Sequence, residues 1–168
     1  MSKIFWLVAS MLVGIGLSAA TAADFSGWQF TSGVGSRGTA FCGMMSILKN
    51  KNVGQNVIIK GSAKGLVVDL YKDKWVRPQG GSVRVAFDFV DNHPLVIAAY
   101  ADAHILDAEI PTEDTSTFLL DLAGRPALQV ILPDEESEPT WVIDGRGSKP
   151  VIEQMVSCMM KLVRKERP

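Results

Sequence analysis

A chain of 168 residues with 17 Lys and Arg against 18 Asp and Glu carries a net charge of −1. That balance, with no cationic cluster, excludes the basic footprint of a nucleic-acid-binding protein. With 47% hydrophobic residues and no internal repeat or low-complexity tract, the chain has the composition of one ordinary globular domain.

In chain order, the first predicted element is a leader. Lys3 precedes the apolar run IFWLVASMLVGIGL (Ile4 to Leu17), and SAATAA comes after it. A positive start, a short apolar core and small residues around an A-x-A site mark a secretory signal peptide. Cleavage is expected after Ala22, or one residue later, so that residues 1–22 are signal and 23–168 form a single secreted domain. The apolar run is short for a spanning helix, which needs about 20 residues. No later stretch is longer, so no membrane span is expected after cleavage. The expected location is the periplasm or the cell exterior.

GVGSRG (33–38) matches G-x-G-x-x-G letter for letter. A dinucleotide fingerprint also needs a buried strand before it, a helix after it and an acidic residue about 20 positions on. Here Gly43 interrupts the segment after the motif, and Val57, Ile58, Ile59 and Lys60 stand near the acidic position. The motif reads as a glycine-rich turn between the first two strands, and no cofactor is expected.

Period-two patterns dominate the rest. LVVDLY sets Leu66, Val68 and Leu70 against Val67, Asp69 and Tyr71. VRVAFDF puts Val83, Val85, Phe87 and Phe89 on one face. HILDAEI sets His104, Leu106, Ala108 and Ile110 against Ile105, Asp107 and Glu109, which predicts a half-buried His104. Such alternation predicts half-buried antiparallel strands. Further strands are predicted at 28–31, 40–47, 55–60, 95–100, 127–132 and 140–144. KDK, RPQGG, DNHP and PDEESEP are read as the turns between strands, with DEESE (134–138) a solvated hairpin tip.

Two helices are predicted. TSTFLLDLAG (115–124) has Thr115 as N-cap and Gly124 as stop. SKPVIEQMVSCMMKLVRKERP starts at Ser148 as cap, with Pro150 in the first turn, where its missing N–H costs little. Ile152, Met155, Val156, Met159, Leu162 and Val163 form an apolar stripe at helical spacing. The fold class is therefore mostly β, a β-rich α+β domain. It is an antiparallel sandwich or barrel-like domain with a C-terminal amphipathic helix laid on the open face of the sheet. Met44, Met45, Met155, Met159 and Met160 are expected as filler where helix meets sheet.

Cys42 and Cys158 are the two cysteines, with one intramolecular pairing open to them. In an oxidising compartment they are expected to form a disulfide, which requires the last helix to pack beside the second strand. The rival is a free nucleophilic thiol at Cys42. YKDKWVRP (71–78) mixes Trp75 with Lys72, Lys74 and Arg77, and tryptophan and arginine are enriched at binding hot spots. It reads either as a contact patch or as a core tryptophan at a strand end among solvated cations. Asp91, His93, Asp102, His104 and Asp107 are residues of metal-ligating type. They lack tight zinc spacing, so no metal site is expected, and no catalytic set is assigned.

FSGWQF (25–30), FCGMMS (41–46) and WVIDGRGSKPVIEQM (141–155) keep the order of features in the invasion-associated locus B family. The chain resembles these small secreted proteins of alphaproteobacteria over most of its mature length. It departs from them at Thr31 and Ser32, where the family usually has a cysteine, and in lacking a central cysteine pair. Cys158 would then replace the missing partner of Cys42. The resemblance implies a non-enzymatic periplasmic or secreted protein linked to host-cell invasion, with no catalytic residues to carry over.

The function expected is that of an interaction protein whose partner is another protein or an envelope component. The alternatives are an inhibitor of an envelope hydrolase and a small hydrolase using His104 with Asp102 or Asp107.

Overall fold

The computed structural model describes residues 27–35, 38–50, 53–90 and 93–165. The expected signal peptide, Ser36 and Arg37 of the glycine motif, and Asp91 lie outside the described residues.

Among the described residues the elements run β1 (Gln29–Val34), β2 (Ala40–Asn50), β3 (Val53–Ser62), β4 (Gly65–Lys72), β5 (Arg77–Asp88), β6 (Leu95–Ala103) and β7 (Ile105–Ile110). Then come α1 (Thr115–Gly124), β8 (Ala127–Ile131), β9 (Trp141–Asp144) and α2 (Ser148–Lys165). The strands form one sheet in the order β1-β2-β3-β4-β7-β6-β5-β8-β9, and every neighbouring pair is antiparallel. The sheet curls into a half-barrel, so of the two expected arrangements the barrel-like one forms. Trp28, just before β1, donates its Nε1–H to the carbonyl of Asp144 at the end of β9 (2.9 Å), tying the chain near one sheet edge to the other edge.

Alternation along the strands becomes two faces across the sheet. On one face a cross-strand row runs Phe30, Met44, Ile59, Val68, Ala108, Ala99 and Val83. Val85, Phe87 and Phe89 share it, and both Phe87 and Phe89 meet Phe118 of α1 edge to face, at 5.5 and 5.3 Å between centroids. This face is the core.

Helix α2 closes the β1–β3 side of that face. Ile152 and Met155 are buried, and Val156, Met159 and Leu162 are partly so, while Val163 turns outward. Of the methionines expected there, Met44 and Met155 sit in the core, Met159 packs against it, Met160 is exposed, and Met45 lies half-buried on the opposite face of the sheet. At Gly61 an added Cβ would overlap Met159 Sδ, so the glycine lets the helix approach β3 closely. Cys42 on β2 and Cys158 on α2 are joined as a disulfide, with Cα atoms 5.9 Å apart. The packing of the last helix beside the second strand, which that bond requires, is present.

Several local expectations change. The glycine motif leads into strand β2, and Gly35 N donates to Thr39 O (2.9 Å) with Gly38 at φ +74, so it forms a β-hairpin turn. RPQGG is not a turn between strands. It opens β5, where the pairing register with β6 slips between Arg77 and Gly81. The N-cap of α1 is Asp114, and the Thr115 hydroxyl instead donates to Pro111 O (3.2 Å). Ser148 is buried and its hydroxyl donates to Leu122 O (2.7 Å), pinning the start of α2 to α1. Gly145, between β9 and α2, donates to Pro126 O (2.8 Å) and lies so near Arg125 O that a Cβ there would overlap it.

Candidate binding site

Two regions concentrate polar chemistry. The first surrounds Trp75, just past the turn after β4. Trp75 is 7% exposed and stacks on Trp141 of β9, centroids 5.3 Å apart and planes at 22°. A buried indole N–H needs an acceptor, and Glu138 supplies one to both rings. It accepts from Trp75 Nε1 (3.3 Å), from Trp141 Nε1 (3.1 Å) and from Lys72 Nζ. Burial pushes the Glu138 carboxyl up, but the hydrogen bonds from Lys72, Trp141 and Trp75 outweigh it and hold the group below the usual carboxylate range. Arg77 lies over the Trp75 ring at 4.4 Å from its centroid and grips Glu135 with two hydrogen bonds of 2.5 and 2.7 Å. Arg84 pairs with Asp134.

The DEESE run is therefore not a solvated tip. Three of its carboxylates land on cations of β4 and β5, and the loop folds back over the tryptophan pair. Of the four residues in the expected contact patch, Trp75 belongs to the core, and Lys72 and Arg77 are engaged within the chain. Lys74 remains exposed beside Val76, which is 89% exposed. Acid–base alternation in the sequence could have hinted at the clasp, but the partners lie in distant segments.

The second region lies on the sheet face turned away from the core. One row runs Met45, Ile58, Asp69, Asp107, Tyr100 and Ser82 across six strands. A second runs Thr31, Gly43, Lys60, Val67 and Glu109. Gly43 stands where a Cβ would press on Ile59 O, so β2 and β3 approach closely there. Phe41, one row further on, spreads its ring over Gly33 of β1. These rows and the β1–β2 turn frame a trough of about 620 Å³. Its lining includes Phe41, Lys60, Ser62, Gln79, Tyr100, Asp102, Asp107 and Glu109.

Asp69 lies in the same face under the trough and is 7% exposed. Its Oδ2 pairs with Lys60 Nζ, while Oδ1 is buried with no hydrogen-bond partner among the described residues. Directly across the strand pair stands Asp107. Burial pushes the Asp69 carboxyl up to about 6; Lys60 pulls it down, and neighbouring Asp107 adds to the rise. The strand alternation of LVVDLY and HILDAEI was readable in sequence. That their polar faces meet, Asp to Asp, was not, because pairing of β4 with β7 is a tertiary choice.

The remaining sequence candidates divide. Asp102 and Asp107 line the trough. His104 does not sit half-buried on the β7 face: it occupies the two-residue turn between β6 and β7, beside Ala103 at φ +47, and is exposed. Its ring meets Tyr71 edge-on at 6.2 Å. His93 lies instead near α1, in a smaller pocket with Phe87, Phe118 and Asp121. Among the described residues no group of three His, Cys, Asp or Glu could hold a metal ion. No helix of the described residues is long and apolar enough to cross a membrane.

Comparison with known proteins yields no matching family model, no matching curated protein and no matching solved structure.

Proposed function

We propose that this is a non-enzymatic interaction protein of the periplasm or the cell exterior, and that it takes its partner, another protein or an envelope component, on the trough. The observation that carries the reading is the trough itself: a polar depression spanning strands β2 to β7, on the face that the helices leave uncovered. Specific recognition favours concave sites with a few converging polar groups. The leader-like N-terminus supports export, and a Cys42–Cys158 bond suits an oxidising compartment. The partial likeness to the invasion-associated locus B proteins points the same way, and the link to invasion stands as part of this proposal.

An enzymatic reading finds less support. The carboxyl with the raised affinity for protons, Asp69, is buried and tied to Lys60, out of reach of a substrate oxygen. His104 is not among the trough's lining residues.

The test is a photo-crosslinking residue placed at Ala98, in the trough, with one at Leu120 on the outer side of α1 as control. In intact envelope a discrete adduct is expected from Ala98 and none from Leu120. Equal labelling from both positions, or none from Ala98, would overturn the proposal.

A further inference from the structure

We infer that the ligand group received by the trough is an organic cation, the ammonium or guanidinium of a basic segment of a partner protein, held by Asp107 and Glu109 between Phe41 and Tyr100. The inference rests on the reading of the trough as the binding site and names the chemistry it selects.

Charge is the first argument. Among the described lining residues there is one cation, Lys60, against the carboxylates of Asp102, Asp107 and Glu109. Lys60 is already committed to Asp69 below. The lining therefore presents three carboxylates to whatever enters.

The second argument is independent of that count. Asp69 and Asp107 are directly opposed across a strand pair, an arrangement that costs stability when both are charged. The Asp69 Oδ1 is buried without a hydrogen-bond partner, and such an oxygen forfeits its hydration for nothing. A positive charge held at Asp107 would offset the like-charge penalty. In the free protein a proton on Asp69 relieves the same conflict, and its carboxyl is held up at about 6, first by burial and in smaller part by Asp107. Near and below pH 6, binding of the cation then favours release of that proton to solvent. The groups facing Asp69 from the adjoining strands are Lys60 on β3 and Asp107 on β7, with Glu109 further along β7 and Tyr100 and Asp102 on β6.

The third argument separates an organic cation from a metal ion. Metal coordination wants three or more converging ligands, and the described residues hold no such group. The volume of about 620 Å³ far exceeds what an ion fills, and Phe41 and Tyr100 offer the aromatic walls that favour alkylammonium and guanidinium groups.

The experiment is calorimetric titration of the mature protein with two probes, spermidine and a lysine-rich hexapeptide, at pH 7.5 and pH 5. Saturable binding of the peptide is expected at pH 7.5. It should weaken several-fold at pH 5, because Asp69, held up at about 6, is then mostly protonated and its negative charge beside Asp107 is lost. Asp107→Asn and Glu109→Gln should each weaken it, and Glu153→Gln on the exposed side of α2 should not. Asp107→Asn removes a like-charge contact, so its fold is expected to survive, which a melting curve checks. Peptide binding without spermidine binding, or binding of both, supports the inference; in the latter case the ammonium group alone suffices. Spermidine alone would replace the protein segment with a free polyamine and overturn that part. No saturable binding of either probe, or equal losses in Glu153→Gln, overturns the inference entirely. If an Ala98 adduct still forms in envelope, the trough is a binding site of different chemistry; if it does not, the broader proposal has failed as well.

Discussion

Among single residues, Asp69 is where burial and charge conflict most openly. Its carboxyl is held up at about 6, above the ordinary 3.8, first by burial and in part by Asp107. A group whose affinity for protons rises on folding favours the native state when protonated. Its penalty is absent at low pH and grows as pH rises through the window from about 4 to 6. The depressed carboxyls of Glu138, Asp134 and Asp144 act in the opposite sense, but their contributions are already complete above the ordinary carboxylate range. Between pH 5 and 7.5 the melting temperature should therefore fall. Asp107→Asn should recover about 0.5–1 kcal/mol at pH 7.5 and less at pH 5. Thermal melts of both proteins across that range test it, and an Asp107→Asn protein no more stable than the parent at pH 7.5 would refute the like-charge account.

Trp75 poses the same kind of question with a different answer. As an exposed anchor it would be removable at little thermal cost. Buried on Trp141 and under Arg77, it is part of the core. Trp75→Ala should cost about 3–5 kcal/mol, the range for truncating a large buried aromatic. Denaturant unfolding would read this directly, and an unchanged midpoint would return Trp75 to the surface.

Between elements, two long-range ties hold segments that local structure leaves loose. The β8–β9 connection has no helix or strand of its own, yet Glu138 fastens it to Lys72 and to both indoles. Glu138→Ala leaves a nearly buried ammonium and two indole N–H groups without their acceptor. Removing one partner of a buried pair costs about 3–5 kcal/mol. The loop should also become protease-sensitive near residues 134–139, and an uncut, fully stable Glu138→Ala protein would argue against the clasp.

The second tie is the Cys42–Cys158 bond. It joins the second strand to the last helix across 116 residues of chain. A loop that long loses much conformational freedom on closure, and removing such a bond costs about 2–5 kcal/mol. Because α2 also buries Ile152 and Met155, Cys158→Ser should weaken α2 without dissolving the sheet. Hydrogen exchange should show amides of α2 losing protection before those of β4, β6 and β7. A thiol count on denatured, unreduced protein provides the prior check, since two free thiols would dispose of the bond.

Across the whole molecule, one sheet does two jobs because its faces differ in chemistry. Curling wraps the apolar face around α1 and α2, and the same rows of alternating residues leave the other face open, with acidic residues at its centre. The Trp28–Asp144 bond ties the chain at the two ends of that curl. The topology also matters to the trough. Strands β5 and β6 form a hairpin that pairs back so that β7, not β5, lies beside β4. Only that order brings the polar residues of LVVDLY and HILDAEI into one row.

Features that depend on near neighbours were legible in the chain alone. Period-two alternation located β4, β7 and the later part of β5, and the helical stripe from Ile152 to Leu162 located α2, because side-chain direction repeats within an element whatever surrounds it. The cysteine pairing came from there being two cysteines and one way to join them. Which elements meet, by contrast, is settled in three dimensions. Trp75 among cations could be read as a contact anchor or as core, and only Trp141 and Glu138, from distant segments, decide for the core. DEESE looked solvated until its carboxylates met Lys72, Arg77 and Arg84. His104 kept the parity of its strand but fell in the turn, since a hairpin's end is set by its pairing. The trough depends most strictly on pairing: a slip of one residue between β4 and β7 would turn Asp107 to the opposite face. Alternation within each segment forbids such a slip, but nothing within either segment says that these two strands pair.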